Sequence, residues 1–318
     1  MRDRHGFRLG SIWLCALFAA LGAYGEFTLD NDGMSLRVFE NGNPVLVYNY
    51  GIVTPPEGID AKYRRSSYIH PLYDLDGVVM SQDFPDDHYH HRGVFWTWPN
   101  CTVGERPMDV WLLDGVRPVF DTWLAREAGS TAHIAVQNLW RFDDDGSTPI
   151  RETVDLVVNP ASETSRALDF TLRFENISGA PVTFLGSPVD KKGYGGFCFR
   201  PDKVYKPFTF TTIQGVCAED ALAFETPWAD VSWQPTVDSP ARGVAIFQHP
   251  SDPGYPHKGW IFRHYAFLGA SWPHNDPFTL QPGQSFELKY RLLVHRGTAE
   301  EADVAKEFDA YTASVSGK

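Results

Sequence analysis

Leu280-Gln281-Pro282-Gly283-Gln284-Ser285-Phe286-Glu287-Leu288-Lys289-Tyr290-Arg291-Leu292-Leu293-Val294-His295 is a Pro-Gly turn followed by a long alternating strand near the C-terminus. Apolar side chains on every second residue line one face of a pleated backbone, so the segment reads as a half-buried strand. The same period runs through the chain upstream. Leu168, Phe170, Leu172 and Phe174 face one way while Asp169, Thr171, Arg173 and Glu175 face the other. Val154, Leu156 and Val158 repeat the pattern up to a break at Asn159-Pro160, and residues 133–140 form a strand stopped by Asp143-Asp144-Asp145-Gly146. Asn41-Gly42-Asn43-Pro44 separates residues 36–39 from 45–48, a hairpin signal. Helical spacing is convincing only at the end, where Thr298 and Glu301 form a capping box and Val304, Phe308 and Tyr311 mark an apolar face. Short strands without intervening helices predict antiparallel sheets packed face to face in an all-β fold with a short C-terminal helix.

The N-terminus reads as a signal peptide over residues 1–25. Arg2, Arg4 and Arg8 precede the apolar run 12–21, and Ala23-Tyr24-Gly25 suits cleavage before Glu26. The expected mature chain, 26–318, is a single domain, and its destination is the periplasm or the extracellular space. With 43% hydrophobic and 14% aromatic residues it can bury one large core. The formal charge of −12 becomes −14 without the leader, whose three Arg outweigh one Asp. Such a balance disfavours nucleic acid and anionic membrane surfaces as partners. Three cysteines then remain, Cys101, Cys198 and Cys217, consistent with one bridge and a thiol or with three thiols.

The candidate chemistry concentrates in Asp83-Phe84-Pro85-Asp86-Asp87-His88-Tyr89-His90-His91-Arg92-Gly93, which holds three of the eleven histidines within four positions. Imidazole accepts, donates or ligates near neutral pH. On a strand His88 and His90 would share a face and could bind a divalent metal, given a third ligand from Asp83, Asp87, His70, His249 or His257. The competing reading is a saccharide site, in which His, Arg and Asp bond hydroxyls and aromatic faces cover the sugar ring. Trp96, Trp98, Trp111 and Trp123 lie downstream, although alternation also suits Trp96 and Trp98 to the core. A second cluster, Asp190-Lys191-Lys192-Gly193-Tyr194-Gly195-Gly196, offers Lys192 and Tyr194 as acid, base or anchor, or is a plain turn. A third spans His249, His257 and Arg263 in and after a Pro-rich loop. His264 and His295 sit in strand-like surroundings and read as structural. No nucleophile elbow, phosphate loop or dinucleotide fingerprint is present.

Together these blocks resemble the exported bacterial family labelled methane oxygenase PmoA-like. The matching stretches are Tyr68-Ile69-His70-Pro71-Leu72-Tyr73, the block 83–93, Gly193-Tyr194-Gly195-Gly196 and Tyr290-Arg291-Leu292-Leu293-Val294-His295-Arg296-Gly297. The closing strand resembles that of galactose-mutarotase-like proteins. The resemblance implies an antiparallel β-supersandwich of that kind. It does not imply methane oxidation, since no membrane helices follow the leader. Nor does it extend to a mutarotase acid/base pair, because residues 267–274 lack the glutamate that family places before its closing strand. The expectation is therefore an exported carbohydrate-active protein, an enzyme acting on a saccharide or glycoside. His90, His91, Arg92 and Tyr194 are the expected catalytic groups, and His70, Asp83, His88, Lys192, His249, His257 and Arg263 the expected binding groups. No cofactor is expected; a glycan-binding protein or a metalloenzyme with a divalent ion at His88 and His90 are the alternatives.

Overall fold

The computed structural model describes residues 25–316. The expected leader lies outside the described residues except for Gly25. Every strand pairing is antiparallel, and two nine-stranded sheets dominate. The first contains, among its neighbours in order, Asn43–Asn49, Tyr68–Leu72, Val94–Thr97, Gly196–Phe199, Phe267–Ala270 and Trp260–Arg263. The second places Ser285–Arg296 between Arg242–Gln248 and Ser165–Asn176, followed by Ile150–Val158 and Ala132–Phe142. A four-stranded sheet adds Phe278–Leu280, Val182–Phe184, Cys101–Val103 and Arg106–Met108. The predicted supersandwich is the observed architecture.

Local chemistry explains the elements. Asn41 and Gly42, at φ 50 and 80, make the tight turn between Ser35–Glu40 and Asn43–Asn49. The alternation in Ser165–Asn176 buries Leu168, Phe170, Leu172 and Phe174 between the sheets, where they meet Trp96, Trp98 and Phe197. Each such side chain contributes about 1.5–3 kcal/mol by leaving water. Trp98 is a core residue, its indole donating to the Trp272 carbonyl at 2.6 Å.

A buried carboxylate also spans the sandwich. Glu152 accepts from Ser67 at 2.5 Å on one side and from Asn138 and Trp140 at 2.9 and 2.8 Å on the other. Unsatisfied, that charge would cost several kcal/mol, so the network fixes how the sheets sit on each other. The capping box forms as expected: Thr298 N donates to Glu301 at 2.8 Å and Glu301 N to Thr298 at 3.2 Å. The helix Val304–Ser316 follows, packing Val304, Phe308 and Tyr311 against Phe247 and Leu293. Cys101, Cys198 and Cys217 are all free thiols. Asn176 is buried and donates to the Ala180 and Leu280 carbonyls at 2.8 and 3.0 Å.

Candidate functional site

The strands of the first sheet carry two apolar faces. One looks into the sandwich; the other presents Tyr68, Phe95, Cys198, Ile261 and Phe267 as a smaller cluster beneath a set of loops. Trp111, Tyr194 and Tyr265 pack over this cluster, and between the loops opens a cavity of about 680 Å³. That volume suits a small organic ligand.

The histidine block forms one wall, and not as a strand. Pro85 and two consecutive turns, closed by His88 N to Pro85 O at 3.0 Å and His91 N to His88 O at 2.9 Å, precede the strand Val94–Thr97. The strand alternation anticipated for His88 and His90 is therefore replaced by ring stacking. His88 lies parallel between His91 and Tyr265, with centroids 4.7 and 4.9 Å away, and His90 stands edge-on to both other imidazoles. Asp87 anchors the block, both its oxygens accepting from Nη2 of the fully buried Arg200 at 2.7 and 2.9 Å. Arg200 also points Nη1 at His91 Nδ1, 3.4 Å away. A guanidinium only donates, so the His91 proton resides on Nε2.

All three imidazoles are held neutral. Burial lowers His88 despite Asp87, 3.3 Å from its Nδ1 but out of hydrogen-bond alignment. Burial, then His88 and the guanidiniums of Arg65, Arg92 and Arg200, bring His90 to about 3. His91 falls well below the usual range through burial, His90 and Arg200. His90 lines the cavity and makes no hydrogen bond among the described residues.

The second wall comes from Ser187–Tyr194. Gly193 at φ +68 makes the turn, and a Cβ there would meet the His274 ring at 2.2 Å. Tyr194 beyond it accepts a 2.7 Å hydrogen bond from Arg263 Nη1, while Arg263 Nε donates to Asp220 at 2.8 Å. Lys192 lines the same wall, 3.1 Å from the exposed Asp190. The third wall is the turn Asp109–Leu112. Trp111 sits 5.5 Å from both His90 and His91 and 5.8 Å from Tyr194. Asp109 accepts from Leu112 N at 2.7 Å, yet burial, with Asp114 adding to it, pushes its carboxyl up to about 6.

Six expected site residues thus meet at one cavity: His88, His90, His91, Lys192, Tyr194 and Arg263. Five do not. Arg92 is fully buried, its guanidinium 3.3 Å from the Phe84 ring centre and bonded to Asp83 at 2.8 Å and to the Tyr63 carbonyl. It has no face left for a ligand, and the site-centre role expected for it gives way to a structural one. Asp83 is held by Arg92 and by the Tyr68 hydroxyl at 3.1 Å. His70 bonds Ser81 at 2.9 Å beside that pair. His249 packs near Tyr311 of the helix, and His257 lines a separate cavity of about 370 Å³ with His274 and Trp272. Tyr265, at the end of the third cluster, and Asp109, which no sequence signal marks, also belong to the site. Asp109 is a lone carboxylate in a turn, and nothing in its spacing sets it apart. Among the described residues, no three His, Cys, Asp or Glu side chains are grouped to hold a metal ion.

A family model described as "Family of unknown function (DUF6807)" matches residues 35–309, and the chain belongs to that family. The methane-oxygenase label is absent from its description. No curated protein matches the sequence. Among solved structures, the galactosidase domain of the alpha-galactosidase-sucrose kinase AgaSK is similar at 9% identity and TM-score 0.45, over 85% of this chain and 42% of that one. The GH36 alpha-galactosidase AgaB from Geobacillus stearothermophilus gives 10% and 0.41, over 85% and 41%. A heparan sulfate lyase HepC mutant from Pedobacter heparinus gives 9% and 0.39, over 88% and 36%. The chain spans about two fifths of the length of these proteins.

Proposed function

We propose that the cavity binds a saccharide and acts on it by general acid–base chemistry, in a protein exported by its N-terminal leader. The observation that carries this reading is the lining itself. Trp111, Tyr194 and Tyr265 offer aromatic faces to the apolar side of a sugar ring, and imidazole, hydroxyl and carboxyl groups lie among them to meet its hydroxyls. His90 is the base. It is neutral above about pH 3 and its ring makes no hydrogen bond that would compete with substrate. Asp109 is the acid, protonated below about pH 6. Tyr194 takes its hydrogen bond from Arg263, which leaves its own proton for a substrate oxygen.

The test is product formation on a panel of oligosaccharides. His90→Gln and Asp109→Asn are each expected to lower kcat by about 100-fold or more, as removal of a positioned proton-transfer group does. Their thermal unfolding should stay near that of the parent protein. Saccharide binding without turnover would replace the enzyme by a glycan-binding protein using the same cavity. Turnover undiminished in both variants would remove the acid–base assignment.

A further inference from the structure

The charge around the cavity narrows the class of saccharide, and this step rests on the saccharide reading above. In a protein of net charge −12, the charged groups lining this cavity are Arg263, Lys192 and the single carboxyl Asp109. Three further guanidiniums lie fully buried beneath it. Arg92 and Arg200 are matched by Asp83 and Asp87. Among the described residues, no carboxylate lies within ion-pair distance of Arg65. It donates Nη2 to the Trp96 carbonyl at 2.8 Å, and its Nε and Nη1 have no hydrogen-bond partner there. Glu152 acts on it only at longer range.

After burial, and beside His88, the charges of Arg65, Arg92 and Arg200 are what keep a proton off His90. A potential that opposes an imidazolium favours an anion in the same place. Two of the lining cations also retain donors. Arg263 uses Nε on Asp220 and Nη1 on Tyr194, and its Nη2 makes no hydrogen bond among the described residues. Among the described residues Lys192 pairs with Asp190, a carboxylate 74% exposed, where water competes for the pair.

We propose that the saccharide is a uronate, its carboxylate taken by Arg263 Nη2 and Lys192 Nζ beside Tyr194. A carboxylate accepting from two cations gains charge-assisted bonds that a neutral hydroxymethyl group cannot make. Calorimetric titration of the full protein with glucuronate- or galacturonate-containing oligosaccharides, their methyl esters and their neutral counterparts tests it. The free uronates should bind at least about ten-fold tighter than either neutral form, and the margin should shrink as salt is raised. Lys192→Gln, on a partly exposed side chain, should remove much of that margin, and Arg263→Gln should remove more. Esters or neutral sugars binding as well as the acids, or sulfated sugars binding better, would overturn the uronate assignment and leave the saccharide reading standing. Binding by no saccharide of any class would overturn both.

Discussion

His91 and Arg92 are neighbours in sequence with opposite fates. The His91 ring joins the cavity wall, whereas Arg92 turns beneath it into a closed pocket between Phe84, Tyr68 and Asp83. Composition announces that the block is unusual, but not which side chain points where, because that depends on the turns at His88 and His91. Arg92→Ala should therefore act on stability. Removing one partner of a buried pair costs about 3–5 kcal/mol, and a urea titration should show a loss of that order. A variant that keeps its stability and loses substrate affinity would return Arg92 to the site. The pH profile belongs to two other residues. His90 must be neutral, which sets an acid limb near pH 3, and Asp109 must be protonated, which sets an alkaline limb near pH 6. The expected kcat/KM is a bell between those values, and the residual activity of Asp109→Asn should lack the limb near 6. An alkaline limb unmoved by that substitution would assign it to another group.

Elements with strict alternation were legible residue by residue. Phe286, Leu288, Tyr290, Leu292 and Val294 all turn to the interior along Ser285–Arg296, as the period of two requires. The histidine block was not legible as an element, since Pro85 and its turns leave no period to read. Gly93, which ends the block, is held by neighbours distant in sequence. A Cβ there would stand 2.3 Å from the Ile69 carbonyl oxygen and 2.9 Å from the Ser81 hydroxyl. Gly93→Ala should force apart the pairing of Ile69 with Val94 and cost about 1–3 kcal/mol, measured as a lowered melting temperature. The loop after Arg242–Gln248 carries a different sensitivity. Asp252 is buried, accepts from Lys289 N at 2.9 Å, and is pushed up by burial to about 8. Its folded value lies above the unfolded value of about 4. The stability it contributes is thus complete below about pH 4 and is lost as pH rises through about 8. Melting curves from pH 4 to 9 should show Asp252→Asn losing this slope; an unchanged slope would place the effect elsewhere.

At the scale of the molecule, the fold class followed from the strands, but the cavity did not. It forms because Val94–Thr97 pairs with Gly196–Phe199 and that strand pairs with Phe267–Ala270. Segments distant in sequence are thereby brought side by side, and their loops, carrying His90, Tyr194 and Tyr265, close over one outer face. Such pairings depend on non-local registry, which no local pattern encodes. Six of the expected residues still gathered there because turns with Gly, Pro and charge are where a β scaffold places its adjustable groups. The most direct measurement is a crystal structure of the protein soaked with the oligosaccharide it binds most tightly. A sugar ring against Trp111, with its hydroxyls within hydrogen-bond distance of His90 and Tyr194, is the predicted result. Sugar bound at another face, with this cavity left to solvent, would contradict it.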